Sequence, residues 1–200
     1  MKWQAFFFDF DGTLVDSIPA KGAVFREMFV PFGNKIQDNA EEYHLENPGM
    51  FRGQKFLNCY RDFFGLTISG IMLNYLCDQF SKLVIEKVIA VPEISGATDF
   101  LKRWSGESFC FIVSAMPDNE LIKIVIDRGM FHFFKGMVGE SHSKVQGIKG
   151  FCKNFGFNST KCLMFGDSDE DFEAADSLGM EFIKISKNQT FEDIMKKGIL

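Results

Sequence analysis

Five short apolar runs constrain the fold of this chain more than any other feature of its sequence. They lie at residues 3–8, 109–113, 136–138, 162–165 and 181–185. The runs are rich in β-branched and aromatic side chains, which follow one another instead of alternating with polar residues. A strand with this pattern is covered on both faces, which is typical of a parallel sheet.

Helical patterns separate the later runs. Apolar residues three or four positions apart follow the second, third and fourth runs, as in Leu121 and Val125, or Val145 and Ile148. A regular succession of strand, helix and strand is the signature of a doubly wound α/β domain. The sequence therefore predicts an α/β fold with a doubly wound, Rossmann-like parallel sheet.

The segment 16–91 interrupts this succession. It contains no convincing strand, but it carries three apolar stripes at helical spacing, around Phe25, across 56–64 and across 73–83. Pro92 follows the segment directly and closes it. We therefore predict an α/β core formed by residues 1–15 and 92–200, with a small helical domain of residues 16–91 inserted after the first strand.

The composition excludes several classes of protein. The 22 basic residues are outnumbered by 27 acidic ones, which argues against general nucleic-acid binding. The apolar start is broken by Asp9 and Asp11, so it is too short to span a membrane, and no signal-peptide pattern follows. The five cysteines form no CxxC pair and sit in apolar segments, where they are expected as buried thiols. We expect a cytoplasmic protein.

Two carboxylates stand where the first apolar run ends. Asp9 and Asp11 occur in Phe8-Asp9-Phe10-Asp11-Gly12-Thr13, and the reactive site of an open parallel sheet lies at the carboxyl ends of its strands. Asp-Gly is also a hairpin-turn dipeptide that Asp9 could cap. No pairing strand follows Gly12, and two acids without partners are costly at the end of a buried strand. The sequence favours a functional site here.

A second acidic cluster follows the fourth run, in Gly166-Asp167-Ser168-Asp169-Glu170-Asp171. These carboxylates would repel one another without a cation among them, and oxygen ligands without His or Cys select Mg²⁺. Asp167 and Asp171 are the candidate ligands. Asp169 and Glu170 are equally explained as acidic residues in the first turn of a helix.

Two quieter signals lie between these clusters. Ser114 ends the second run, and Lys144 precedes the helix after the third. Taken separately, Ser114 is more often a turn former and Lys144 a solvated charge.

The four features in this order resemble the motifs of the haloacid dehalogenase-like superfamily of phosphohydrolases. Those motifs are Asp-x-Asp-Gly-Thr, a Ser or Thr, a Lys or Arg, and Gly-Asp-Ser-x-x-Asp. The resemblance covers essentially the whole chain, and it implies that 16–91 is the helical cap of the subclass whose cap follows the first motif.

The resemblance also implies a role for each residue. Asp9 is the expected nucleophile, and Asp11 the general acid and base. Asp9, Asp167 and the backbone carbonyl of Asp11 are the expected Mg²⁺ ligands, with Asp171 as a further one. Ser114 and Lys144 are expected to hold the phosphoryl oxygens. The side chains of Asp9 and Asp167 must then lie within about one water bridge of each other.

The inserted segment adds one candidate subsite. Arg52 and Lys55 lie in a loop-to-helix stretch (47–55) that loosely resembles the substrate-reading cap loop of related phosphatases, and a plain surface pair explains them equally well. His44, His132 and His142 lack the spacing of metal ligands.

The predicted function is Mg²⁺-dependent hydrolysis of a small phosphorylated metabolite, either phosphoglycolate-like or a sugar phosphate. A sugar phosphomutase, which shares the first two motifs, is the enzymatic alternative. A phosphate-binding module without turnover is the alternative from another class. A dinucleotide-binding domain is excluded, because 9–13 lacks the glycine spacing that admits a pyrophosphate.

Overall fold

A computed structural model of the protein describes residues 2–48 and 50–199. Within these residues the strands form one parallel, five-stranded sheet in the order β3-β2-β1-β4-β5. They are β1 (Ala5–Phe8), β2 (Phe109–Val113), β3 (Gly136–Val138), β4 (Cys162–Gly166) and β5 (Glu181–Lys184). Each strand coincides within two residues with a predicted run, and the predicted α/β fold class is confirmed.

The helices of the described residues fill the inserted segment, lie between that segment and β2, or follow the later strands. They are α1 (Ile18–Glu27), α2 (Asn34–Glu46), α3 (Arg52–Phe64), α4 (Gly70–Ala90), α5 (Ala97–Trp104), α6 (Asp118–Asp127), α7 (Lys144–Phe155), α8 (Asp169–Asp176) and α9 (Phe191–Lys197).

Aromatic side chains cover both faces of the central strand. All four residues of β1 are buried, and alternate residues of a strand point to opposite faces. On one face Phe8 stacks on Phe165 with ring centroids 5.0 Å apart. On the other face Phe7 stacks on Phe111 at 5.2 Å. Burial on both faces is the physical reason for the continuous apolar run in the sequence.

The described residues divide into two compact units. One contains residues up to Asp16 and from Pro92 onward, and the other contains residues of Ser17–Val91. The second unit consists of α1 to α4 and a short turn at Val30–Phe32. The predicted stripes fall on α1, α3 and α4, although the first extends past the end of α1. Gly49, in the stretch that leads to Arg52, lies outside the described residues.

Helix α2 has no counterpart among the predicted stripes. Only Gln37 and Ala40 of its residues are buried, so it offers almost no apolar stripe for a sequence pattern to reveal. It packs beside α1 and α3 in the same unit.

No helix within the described part of the chain is both long and apolar enough to cross a membrane.

Candidate active site

The register of the sheet brings the two acidic motifs together. Phe8 of β1 is paired with Phe165 of β4, and the amide of Asp9 donates to the carbonyl of Phe165 at 2.9 Å. Asp167 therefore follows β4 beside the point where Asp9 follows β1. The strand order also reverses between β1 and β4, and this is where open α/β sheets bind ligands.

Three carboxylates converge at this point. One oxygen from each of Asp9, Asp167 and Asp171 lies within 4.8 Å of the other two. This separation is within reach of one bridging water or of one ion, as the sequence required of Asp9 and Asp167. The donors are all hard carboxylate oxygens, which fit Mg²⁺ and not a metal that prefers nitrogen or sulfur.

Lys144 binds two of these carboxylates. Its Nζ donates to Oδ1 of Asp9 at 3.0 Å and to Oδ1 of Asp171 at 2.5 Å, and all three side chains are buried. Burial alone would lower the pKa of Lys144, but the two carboxylates outweigh it and raise the pKa above its ordinary value. Lys144 is therefore an ammonium ion at neutral pH, and because it is buried its interpretation as a solvated charge is wrong.

The acids retain an excess of negative charge despite this lysine. Burial raises the pKa of Asp9 well above its ordinary value, while Lys144 opposes the rise. Burial and the nearby Asp171 also raise the pKa of Asp167, to about 6. Three carboxylates face one ammonium, so two negative charges remain when all are ionised. A divalent cation would balance them, and this excess of two negative charges is a second reason that the residues fit Mg²⁺.

Asp171 is held in place by the start of α8. Its Oδ2 accepts hydrogen bonds from the amide and the hydroxyl of Ser168, at 3.1 and 2.6 Å, while Ser168 Oγ accepts from the amide of Asp171. This reciprocal capping box fixes the side chain. Gly166 makes room for it, because a Cβ at that position would lie 2.3 Å from Cβ of Asp171.

Thr13 is a site residue whose role the sequence did not indicate. It is fully buried, and its Oγ1 donates to Oδ1 of Asp167 at 3.2 Å. This bond lowers the pKa of Asp167 against the effect of burial. The sequence shows a hydroxyl four positions after Asp9, but it does not show the partner of that hydroxyl, which lies 154 residues away.

Ser114 and Asp11 complete the strand-end positions. Ser114 is buried after β2, and its Oγ accepts from the amide of Met116 at 3.2 Å, as a turn former does. That bond uses an oxygen lone pair and leaves the hydroxyl proton for another acceptor. Asp11 is half-buried and lies near enough to raise the pKa of Asp9.

The other acids of the second motif lie outside the cluster. Asp169 and Glu170 are exposed in the first turn of α8, where Lys184 donates to Asp169 at 3.2 Å. Their interpretation as acidic residues of a helix start fits this position.

Arg52 and Lys55 lie in the helical unit and are not a plain surface pair. Lys55 is buried, and its Nζ donates to the carbonyl of His44 at 3.1 Å. Arg52 donates to Ser81 Oγ at 2.7 Å, and its guanidinium lies over the ring of Phe80. The pKa of Lys55 is lowered to about 8 by burial first, then by Lys21 and Arg52.

Comparison with known proteins identifies a family whose sequence pattern matches most of this chain. The sequence model of the haloacid dehalogenase-like hydrolases matches residues 6–185. The match includes both acidic motifs, Ser114 and Lys144.

Individual relatives agree with this match over nearly their full length. Fructose-1-phosphate phosphatase YqaB of Escherichia coli is 20% identical over 189 residues, covering 92% of this chain and 97% of the relative. The structure of a predicted phosphoglycolate phosphatase from Haemophilus somnus superposes with a TM-score of 0.75 at 19% identity, covering 99% of both chains. Magnesium-bound YfnB of Bacillus subtilis, named a HAD-hydrolase, gives 0.71 at 18% identity, covering 92% of this chain and 87% of that one.

Proposed function

Because the chain belongs to the haloacid dehalogenase-like hydrolases, we propose that it is a Mg²⁺-dependent phosphatase of small phosphate monoesters. The observation that carries this proposal is the convergence of Asp9, Asp167 and Asp171 around one point, with the ammonium of Lys144 beside them. The family predicted from the sequence is confirmed by the match. The metal, the mechanism and the substrate are our proposals.

Asp9 is the proposed nucleophile. Lys144 binds its Oδ1, so Oδ2 is the oxygen that this contact leaves for attack on phosphorus. In the first step an Asp9 oxygen bonds to phosphorus and the bond from phosphorus to the ester oxygen breaks. In the second step water attacks phosphorus, which releases phosphate and restores the carboxylate. One difficult reaction is thereby divided into two easier ones.

Asp11 is the proposed general acid and base. It follows Asp9 by two positions, on the chain segment that leaves β1. It would donate a proton to the departing alkoxide in the first step and accept one from the attacking water in the second.

Mg²⁺ would be held by the carboxylates of Asp9 and Asp167 and by the backbone carbonyl of Asp11, with Asp171 as a further ligand. When bound, the ion offsets the repulsion between an anionic nucleophile and an anionic substrate. YfnB, which shares the fold, is bound to magnesium.

Ser114 and Lys144 are the proposed phosphoryl contacts. Ser114 would donate its hydroxyl proton to one phosphoryl oxygen, and Lys144 would stabilise the charge that develops on the transferred group. Both residues are buried and fixed before substrate arrives, so little reorganisation is needed.

The helical unit supplies the proposed specificity residues. Arg52 and Lys55 carry positive charge, which suits an anionic or hydroxyl-rich substrate. YqaB is named for fructose-1-phosphate, and the Haemophilus structure for phosphoglycolate. We propose a substrate of these two classes, a sugar phosphate or a small phosphorylated carboxylic acid.

The test measures phosphate release from p-nitrophenyl phosphate, fructose-1-phosphate and phosphoglycolate, with Mg²⁺ and with a chelator. We expect hydrolysis with Mg²⁺ only, and a loss of at least about 10³-fold in Asp9→Asn. The Asn side chain keeps an oxygen that can accept from Lys144, so the variant removes the nucleophile while preserving this contact. Full activity in Asp9→Asn would contradict the assignment. Conversion of glucose-1-phosphate to its 6-phosphate without phosphate release would identify the phosphomutase alternative instead.

A further inference from the structure

The loop that leads to Lys144 needs an anchor. Residues 139–143, here called the β3–α7 loop, join β3 to α7 and end directly before Lys144. Gly139 is buried, but the residues from Glu140 to Ser143 are exposed. Exposed loops sample many conformations unless hydrogen bonds restrict them. The position of the Lys144 ammonium therefore depends on what holds this loop.

Three consecutive amides of the loop are bound by the segment after β2. The amide of Gly139 donates to Oδ1 of Asp118 at 2.7 Å, and the amide of Ser141 donates to Oδ2 of the same carboxylate at 3.1 Å. Between them, the amide of Glu140 donates to the carbonyl of Met116 at 2.8 Å. Both oxygens of one side chain thus hold the loop from 21 and 23 residues away.

The two segments are packed as closely as their backbones allow. A Cβ at Gly139 would lie 2.2 Å from the carbonyl oxygen of Met116, so only glycine permits this approach. The amide of Ser114 also donates to the carbonyl of Val138 at 3.0 Å. The segment that carries Ser114 is thereby joined to the loop that precedes Lys144.

The negative charge of the Asp118 carboxylate strengthens its hydrogen bonds to the two loop amides. Partial burial would raise the pKa of Asp118, but the amide of Gly139 and the hydroxyl and amide of Ser141 together outweigh it and lower the pKa below its ordinary value. Asp118 is therefore an ionised acceptor at neutral pH, and hydrogen bonds to a charged acceptor are stronger than those to a neutral one.

We infer that Asp118 is a positioning residue for Lys144, an inference that rests on the proposed function. It acts through the β3–α7 loop: its two oxygens fix the amides of Gly139 and Ser141, and the loop in turn fixes the start of α7. Lys144, the first residue of that helix, then meets Asp9 and Asp171 at hydrogen-bonding distance.

Removal of the carboxylate should lower kcat more than it raises KM. In Asp118→Ala the loop loses two anchors, and a displaced Lys144 stabilises the transferred group less well. We expect kcat to fall about 10- to 100-fold, the usual effect of losing a group that orients an active-site residue. Asp118→Asn keeps an acceptor for Gly139 but presents a donor to Ser141, so its kcat should lie between those of the parent and Asp118→Ala. If Asp118→Ala fails to fold, the kcat of Asp118→Asn alone serves as the test.

A double-mutant cycle separates positioning from a general effect on stability. If Asp118 acts through Lys144, Asp118→Ala should cause no further loss of kcat in a Lys144→Ala background. An equal loss in both backgrounds would overturn the inference. The matched control is Asp193→Ala. Asp193 also accepts from a backbone amide, that of Thr190 at 3.0 Å, but it caps α9, which carries none of the proposed site residues. This control should keep the parent kcat.

A second readout does not require phosphatase activity. Lys144 is 8% exposed and should react slowly with an amine-acylating reagent in the parent. In Asp118→Ala its acylation, followed by mass spectrometry, should be roughly 10-fold faster because the loop opens more often. Exposed Lys153 on the same helix provides the internal reference. Unchanged labelling of Lys144 would overturn the inference. If the parent hydrolyses no phosphate ester, the proposed function is wrong, while the labelling still decides the role of Asp118.

Discussion

At the scale of single residues, the site depends on small side chains as much as on charged ones. Asp171 reaches Lys144 because Gly166 leaves the space that a Cβ would fill. Breaking a buried ion pair on one side is strongly destabilising, because it leaves an uncompensated charge in the interior. Glycine at position 166 is thus as necessary to the geometry as the carboxylate that it accommodates.

Gly166→Ala should therefore inactivate the enzyme without removing any functional group. The added Cβ would stand 2.3 Å from Cβ of Asp171 and force that carboxylate away from Lys144. We expect kcat/KM for p-nitrophenyl phosphate to fall at least about 10²-fold, the effect of a displacement near 1 Å. Gly150→Ala is the matched control: a Cβ there meets no atom within 4 Å, so activity should persist. Parent activity in Gly166→Ala would contradict the proposed role of Asp171.

At the scale of elements, the helical unit buries polar groups between its helices. The ring of His44, on α2, lies 4.9 Å from that of Phe25 on α1, and the carbonyl of His44 accepts from Lys55 on α3. Burial, and then the positive charges of Lys55, Lys21 and Arg52, lower the pKa of His44 to about 3. The three helices thus hold a neutral imidazole beside a buried amine.

This arrangement predicts a loss of stability in acid. An unfolded histidine takes up a proton below its ordinary pKa of 6.5, whereas folded His44 stays neutral down to about pH 3. The unfolded state then binds more protons, so the free energy of unfolding falls as the pH drops below 6.5. We expect His44 to contribute on the order of 1 kcal/mol of this loss by pH 5, allowing for its partial exposure. Urea unfolding at pH 7.5 and pH 5 measures it. The pH dependence should be smaller in His44→Phe, and an equal slope would contradict the assignment.

In the molecule as a whole, the sheet brings several carboxylates together at one edge, where their negative charges need a compensating cation. Residues from the ends of β1 and β4 meet at the point where strand order reverses, and the buried acids outnumber the lysine beside them. Buried like charges oppose folding unless a cation intervenes. The metal binding that we propose would therefore stabilise the folded chain.

Mg²⁺ should stabilise the chain more at pH 7.5 than at pH 5. Without metal, folded Asp167 has a pKa of about 6 against an ordinary 3.8, so folded protein holds a proton that unfolded protein has lost. Stability without metal thus decreases as the pH rises from about 4 to about 6. Mg²⁺ requires the ionised carboxylate, so we expect saturating ion to raise the Tm by about 5 °C at pH 7.5 and by less at pH 5.

Asp167→Asn is the control for this measurement. It should be more stable than the parent in a chelator at pH 7.5, because it lacks the repelled charge, and it should lose most of the response to Mg²⁺. An undiminished rise in Tm with Mg²⁺ in this variant would exclude Asp167 as a ligand.

Local sequence patterns were enough to predict the parallel sheet and the family. A strand covered on both faces must be apolar at every position, so β1 and β4 were visible as continuous runs, and the acids that follow them marked the end of the sheet at which we propose the active site. These are local properties, which a linear sequence displays directly. By contrast, α2 buries only Gln37 and Ala40, and its pattern carried no such signal.

The contacts that hold the site together become visible only in the folded chain. Only the pairing of β1 with β4 sets Asp9 beside Asp167, and only folding brings Thr13 to Asp167 across 154 residues. The hydrogen bonds from Gly139 and Ser141 to Asp118 likewise join two segments whose contact cannot be inferred from their separation in the sequence. Hydrogen bonds and ion pairs act over a few ångströms, between atoms whose separation depends on the whole fold. Residue types at strand ends can therefore be read from sequence, but their partners cannot.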